Sequence, residues 1–339
     1  MPPLSTGSPL PSAVDGAPTA ARPGAMPPRL TMRRSPLPTH VVDATSAPAA
    51  TPRPAPGRAT PDGRPAQGRP SRRAPLLMRA SVACHVGAAG VALAVPGAWP
   101  WAAGVVALNH AVLTGAGLWP RSNWLGPNLT RLPAAAVGRR EIVLTFDDGP
   151  DPAVTPQVLD LLDAAGVRAT FFCIAERARQ HPQLCREIVR RGHSVQNHTA
   201  HHSHGFSLLG PGDFAREIGA AQHTLAELTG EAPRYFRAPA GLRNPLLGPV
   251  LDRLGLELVS WTRRGYDTSQ RAAPRVLGRL TRGLAAGDIL LLHDGHAAPD
   301  SQGVPVVLAV LPDLLACIRR ADLLPVTLPA AMRPIAARA

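Results

Sequence analysis

One α/β domain built on a parallel sheet of about seven strands is predicted for residues 141–330, and two observations predict it. Short apolar runs rich in β-branched and aromatic residues alternate with helical stretches from Glu141 onward. Residues able to do chemistry fall at the C-terminal ends of those runs, where parallel α/β sheets gather their sites. The strand candidates are Ile142 to Phe146, Ala169 to Ile174, Leu256 to Trp261, Ile289 to Leu292 and Leu323 to Leu328, with weaker ones at Ser194-Val195 and Tyr235-Phe236. Helical stretches run between them over Pro156 to Ala165, Pro182 to Arg191, Asp213 to Thr229, Pro245 to Leu254, Pro274 to Leu284 and Val304 to Arg320. Strand, helix and strand in repetition require crossover connections, hence parallel pairing.

The segments before this domain differ in composition. Residues 1–76 form a Pro/Arg/Ala-rich tail: up to residue 75 it holds 18 of the 39 prolines and no Phe, Tyr or Trp. Such a stretch cannot bury enough apolar surface to offset chain entropy and is predicted to be disordered. The net charge of +13 belongs to the front of the chain, because residues 1–80 contribute +8, residues 81–140 +4 and residues 141–339 only +1. A basic footprint for nucleic acid is therefore missing from the part able to form a large core, and no nucleic-acid partner is expected. Cys84, Cys173, Cys185 and Cys317 show no C-x-x-C spacing and read as structural residues.

Residues 77–120 read as two membrane helices, near 77–95 and 101–119. No charged residue occurs from Ser81 to Pro120, and Pro96-Gly97 and Pro100 break the run near its middle. Each half is close to the ~20 residues that span a bilayer, with Trp99, Trp101 and Trp119 at the ends, where interfacial aromatics belong. A soluble apolar hairpin, or one span plus a core helix, is the alternative. Arginines flank the pair on both sides, including Arg72, Arg73 and Arg79 before it and Arg121 and Arg131 after it. The positive-inside rule then keeps both ends in the cytoplasm, which for a bacterial inner membrane makes the downstream domain cytoplasmic. A single span would place it outside. Residues 121–140 read as a linker and 331–339 as a tail.

The chemistry begins at Thr145-Phe146-Asp147-Asp148-Gly149-Pro150. Two adjacent carboxylates where a buried strand meets a Gly-Pro turn are costly to ionise together unless a cation shares the site. Taken alone, the stretch is also an ordinary surface turn. Asn197-His198-Thr199-Ala200-His201-His202-Ser203-His204 supplies imidazoles for a divalent cation, and His198 and His202, four apart, would face one way on a helical turn. With Asp148 they make a two-His-one-carboxylate set that leaves coordination positions open, although spacing also admits His198 with His201. Further groups follow later strands: Arg237-Ala238-Pro239-Ala240-Gly241 after Tyr235-Phe236, Trp261 with Asp267, and His293-Asp294-Gly295 after Ile289 to Leu292. Together they place a metal set, two further Asp, an Arg and a non-ligand His on one edge of the sheet.

In these residues the chain resembles polysaccharide deacetylases with a NodB homology domain, carbohydrate esterase family 4, over roughly residues 141–330. Five motifs carry the likeness, in order: Thr145 to Gly149, His198 to His202, Arg237 to Ala240, Trp261 with Asp267, and Leu291 to His293. The resemblance implies a distorted (β/α) barrel of about seven strands. It implies that Asp148, His198 and His202 hold a divalent metal, Zn first with Co, Ni or Mn as alternatives, leaving His201 and His204 outside the set. Asp147 is then the general base, Arg237 the cation that orients it, His293 the general acid, and Asp267 the carboxylate that orients the acid. The backbone N–H of Ala240 helps hold the oxyanion, and Leu291 and Trp261 form the pocket for an acetyl methyl group. Ala240 stands where many members carry an aromatic, and Thr268 follows Asp267 where Trp is common, so the substrate wall is expected to differ.

The activity so implied is hydrolysis of an N-acetyl group on an amino-sugar-containing glycan or glycolipid, with an N-acetylated saccharide and the membrane as partners. Two alternatives keep the fold: a metal-dependent amidase for a non-sugar amide, and a silent carbohydrate-binding domain.

Overall fold

The structure, a computed structural model, describes residues 74–334; most of the predicted tail, residues 1–73, lies outside the described residues, as do residues 335–339. Eight strands are present among the described residues: β1 Glu141–Asp147, β2 Thr170–Cys173, β3 Ser194–Asn197, β4 Tyr235–Phe236, β5 Glu257–Leu258, β6 Arg263–Arg264, β7 Ile289–His293 and β8 Leu324–Pro325. Seven lie in the order β5-β4-β3-β2-β1-β7-β6, and β8 joins the start of β1. All pairings are parallel, as the strand–helix alternation requires. The interleaved helices fall close to the expected positions, at Thr155–Ala164, Pro182–Arg190, Pro211–Thr229, Leu247–Leu254, Ala273–Thr281 and Val306–Arg320. Most carry Pro in the first turn, where its missing N–H costs nothing.

The sheet closes on itself as a half-barrel. Strands β5 and β6 lie at opposite ends of the order, yet only Val259 to Thr262 separate them in the chain. The five steps from Leu258 to Arg263 reach no more than roughly 18 Å, so the two edges must curl toward each other. That short connection is pinned to both halves: Val259 N donates to Phe236 O at 2.9 Å, and Thr262 N to Ile289 O at 2.8 Å. Strand β6 was not foreseen, because two arginines carry no strand signal.

Alternation along the strands sorts core from site. Ile142, Leu144 and Phe146 of β1, with Leu290 and Leu292 of β7, face the helices in the main core, where Phe146 stacks on Phe171 at 5.1 Å. Val143 and Ile289 belong to a second cluster on the other face, with Phe172, Tyr235 and Val259. Two-residue periodicity then puts Thr145 and Asp147 on that face with Leu291 and His293, and register aligns Asp147 with His293 directly. Residues 121–140 lie against the barrel: Leu132 and Ala136 are buried, Leu129 bridges Val259, and Arg131 pairs with the buried Asp288 at 2.9 Å.

His193 lies in the wall between β2 and β3, with its Nδ1 accepting from Ala169 N at 3.1 Å. Burial, with Arg168 nearby, pulls its pKa down from 6.5 to about 4. The unfolded chain therefore binds the extra proton first, and this contribution to stability is complete above about pH 6.5 and lost as pH falls toward about 4. A urea-denaturation series across that window is expected to show the decline, and His193→Gln to flatten it.

Ahead of the barrel stand α1 Leu76–Ala94 and α2 Trp99–Leu118, each long and apolar enough to cross a membrane, with mean hydropathies of 1.6 and 1.3. They pack on each other but bury little else: Val82, Val86, Leu93, Trp101 and Leu108 are all more than 60% exposed. Between them Asn109 Nδ2 donates to Ser81 Oγ at 2.9 Å, and the Nε2 atoms of His85 and His110 lie 3.2 Å apart, so the polar side chains of the hairpin partner one another. The open end of the hairpin sits on the barrel, where Leu113 and Ala116 meet Leu125 and Arg243 N donates to Gly117 O at 3.2 Å. Gly117 has no room for a side chain there, because a Cβ would strike the Arg243 carbonyl.

Candidate active site

Asp147 and Asp148 leave the end of β1 in opposite roles, because Asp148 adopts a left-handed φ of 69° that turns its side chain away from the strand pattern. His198 follows β3 directly. His202 comes four residues later, but the segment between is no helical turn: Thr199 and His202 have φ values of 70° and 54°. The expectation that helical spacing pairs the two histidines is corrected here. The strained loop brings them together, held by Thr199 N on Asn197 Oδ1 at 3.0 Å and His202 N on Thr199 Oγ1 at 2.9 Å. Backbone strain of this kind persists only where the surroundings over-determine it, as they do here.

Ligand atoms of Asp148, His198 and His202 lie within 4.8 Å of one another. Asp148 Oδ1 is 3.1 Å from Nε2 of each histidine, is buried, and makes no hydrogen bond of normal geometry. The His198 Nδ1 lies 2.8 Å from Arg237 O, and a carbonyl only accepts, so Nδ1 carries the proton and Nε2 turns its lone pair to Asp148. Converging lone pairs around an orphaned carboxylate oxygen fit a divalent cation. Charge balance agrees: burial works against charge on both Asp148 and His198, yet the histidines hold the Asp148 carboxyl far below its usual range, and Asp147 and Asp148 raise His198. Burial lowers His202 to about 4, which keeps its ring neutral and able to ligate. His201 is half exposed and bound to Glu217 at 2.8 Å, outside the cluster.

Asp147 is not part of the cluster. Its Oδ1 accepts from Arg237 Nη1 at 2.6 Å, and its Oδ2 lies 3.9 Å from His198 Nε2, beside the open side of the site. Arg237 is 1% exposed and fully engaged: Nη1 also reaches Thr145 Oγ1 at 2.8 Å, Nη2 reaches Ser260 O at 2.8 Å, and the guanidinium lies 4.1 Å from the Phe172 ring centroid. One carboxylate oxygen is thus fixed and the other left for chemistry.

Across β1, His293 is held by the Asp267 carboxylate, which accepts from His293 N and from Nδ1 at 2.8 Å each. Burial opposes charge on this imidazole, but Asp267 outweighs it and raises the pKa, leaving a proton available at Nε2. Trp261, 6% exposed, packs against Gly241, and Leu291 lies buried in β7 two residues before His293. Ala240 is exposed on a short turn with φ 54°. Register thus sets Asp147 beside His293 at the ends of β1 and β7, and His198 and His202 meet Asp148 beyond the end of β3.

The family model described as Polysaccharide deacetylase matches residues 134–259. A chitooligosaccharide deacetylase of Sinorhizobium fredii (strain NBRC 101917 / NGR234) is 36% identical over 168 residues, covering 49% of this chain and 78% of that protein. The chain belongs to the polysaccharide deacetylase family. As a member of carbohydrate esterase family 4 it is a hydrolase. A peptidoglycan-N-acetylglucosamine deacetylase of Bacillus cereus is 34% identical over 175 residues, covering 51% of this chain and 81% of the relative. Among solved structures, a family 4 carbohydrate esterase from Streptomyces lividans in complex with acetate is 30% identical with a TM-score of 0.51, covering 58% of this deacetylase and 98% of that chain. The Bc1960 peptidoglycan N-acetylglucosamine deacetylase is 26% identical with a TM-score of 0.55, covering 62% and 95%.

Three groups in this deacetylase had no role assigned from the sequence. Arg177 Nη1 donates to Asp148 O at 2.9 Å, and its Nη2 lies 2.5 Å from Nε2 of His296, whose Nδ1 is 3.4 Å from Asp148 Oδ2. Both line a cleft of about 650 Å³ with His202 on its wall. Asp294 is completely buried below Gly149, takes a hydrogen bond from Thr155 Oγ1 at 2.6 Å, and is pushed up to about 7 by burial. The sequence places it in the group after β7, and its burial gives it a structural part there. Arg177 and His296 had no motif to mark them.

Proposed function

We propose that this chain is a membrane-tethered, metal-dependent N-deacetylase that releases acetate from an N-acetylated amino sugar in a glycan or glycolipid. The observation that carries the reading is Asp147: adjacent to the metal set, outside it, and with one oxygen anchored by Arg237 and the other free. A divalent cation held by Asp148, His198 and His202 would polarise the acetamide carbonyl and acidify water, and the His₂Asp donor set suits Zn, with Co, Ni and Mn also acceptable.

Asp147 Oδ2 takes the proton of the attacking water as its oxygen adds to the carbonyl carbon. The backbone N–H of Ala240 faces the developing oxyanion, and the acetyl methyl group sits between Leu291 and Trp261. His293 delivers the Nε2 proton to the departing amine while Asp267 holds the ring and its charge. The products are acetate and a free amino sugar. Its hydrogen-bonded pairs fix both proton-transfer groups on rigid strand ends, so little reorganisation accompanies the reaction.

The hairpin supports membrane tethering through its exposed apolar surface, which a soluble core helix would bury. Leu77 and Leu113, from the two helices, meet at Leu125 ahead of the barrel, so two spans return the chain to the side from which it entered, and the flanking arginines favour the cytoplasm for the catalytic domain.

Acetate release from a panel of N-acetyl sugars by the full-length protein tests the reading. Turnover is expected on at least one amino sugar, lost with a chelator and restored by added Zn. Acetate production unaffected by metal removal, or none from any sugar, would overturn it.

A further inference from the structure

An amphipathic groove of about 360 Å³ runs along the seam between the hairpin and the catalytic domain. Met78, Leu113 and Leu118 line it from the helices, and Leu208 and Leu246 from the domain, with polar atoms supplied by Thr114 and Asn244. Leu208 is 86% exposed and Leu246 45%, and with the exposed Leu118 they line one groove, a grouped apolar surface rather than scattered single residues. Neither is left loose: Asn244 Nδ2 donates to Ser207 O at 3.0 Å and to Leu209 O at 2.9 Å, tying the two domain segments into one rim.

Both segments come straight from the catalytic centre. Ser207 is five residues beyond the ligand His202, and Arg243 three beyond Ala240. Three to five residues reach no more than roughly 10–18 Å, about the length of a sugar with its phosphate linkage. The helix end is clamped to the same region: Pro120 O accepts from Ser260 Oγ at 2.6 Å, and Arg121 Nη1 donates to Thr262 O at 3.1 Å, on either side of Trp261. The groove therefore continues the apolar surface of the membrane helices up to the loops that carry the metal set and the oxyanion turn.

Building on the deacetylase reading, we infer that the substrate is a lipid-linked N-acetylated saccharide whose hydrocarbon chain lies in this groove while its acetamide reaches the metal site. A chain that shares the bilayer with α1 and α2 meets Leu118, Leu208 and Leu246 without crossing water. Its polar linkage then passes Thr114 and Asn244. A soluble polymer gains nothing from those leucines.

The test uses the full-length protein in phosphatidylcholine nanodiscs and two probes, the dodecyl and the methyl phosphodiester of N-acetylglucosamine 1-phosphate. The dodecyl probe is expected to show a kcat/KM about a hundredfold higher, as burial of a few methylene groups would give. Partition into the bilayer also favours it, so the groove is read from Leu208→Ser/Leu246→Ser, two exposed positions. The dodecyl-to-methyl ratio should fall at least about tenfold there, and an unchanged ratio overturns the groove. A second arm is independent of turnover: a dodecyl probe with a photoreactive chain end is cross-linked to the Asp147→Asn protein. Labels at residues 113–118, 207–208 and 246 support the groove, whereas labels confined to the outer faces of α1 and α2 show bulk lipid contact only and refute it. Groove labelling with no acetate from either probe or from any N-acetyl sugar of the panel would sustain the binding site and sink the deacetylase reading.

Discussion

Asp147→Asn is expected to retain its metal at full stoichiometry and to lose about a thousandfold in kcat, within the range set by general base catalysis. The argument is geometric. Asn keeps an oxygen to accept from Arg237 Nη1, now 2.6 Å from Asp147 Oδ1, but presents an amide where the free Oδ2 stands 3.9 Å from His198 Nε2. An amide takes no proton at neutral pH. None of the three ligand atoms changes, so metal analysis should match the parent while turnover collapses. Removing the carboxylate also leaves the Arg237 charge buried without its counterion, so a lower Tm is expected alongside. Undiminished turnover in a metal-replete Asp147→Asn protein would dismiss this residue as the base.

His198→Ala is expected to lose metal and activity together. Its imidazole is the best-fixed donor of the three, clamped through Nδ1 on Arg237 O at 2.8 Å and buried, while His202 remains partly open. Loss of an outer partner of a metal ligand already costs about 10–100-fold in affinity, and loss of the ligand itself should exceed that. Titration with Zn by competition against a chromophoric chelator measures it. His201→Ala is the control, since that ring is engaged with Glu217 and should leave affinity unchanged. Loss of Zn affinity in His201→Ala as well as in His198→Ala would restore the pairing of His198 with His201 that spacing alone admits.

Much of this site was legible in the sequence because its residues follow strong strand signals. Ile142 to Phe146 and Ile289 to Leu292 are apolar and β-branched, so their ends could be located and Asp147 and His293 placed on one edge. What failed had weak local signals. The arginines of β6 take their strand state from pairing with Leu290 and Leu291, a tertiary effect that no propensity reports. The i, i+4 spacing of His198 and His202 suits a helical turn, whereas left-handed residues at Thr199 and His202 achieve the same convergence. Arg177 and His296 become neighbours only when Ala175–Gln180 and the loop after β7 meet over Asp148.

The four-residue bridge from β5 to β6 also bears on how this enzyme comes alive. Arg237 holds Asp147 with one edge of its guanidinium and the carbonyls of Val259 and Ser260 with the other, at 3.3 and 2.8 Å. The same side chain therefore latches the barrel seam and sets the catalytic carboxylate. Refolding chains should regain hydrolytic power only when the last edge docks, later than helical circular dichroism recovers, so that enzymatic turnover serves as a clock for closure of the barrel.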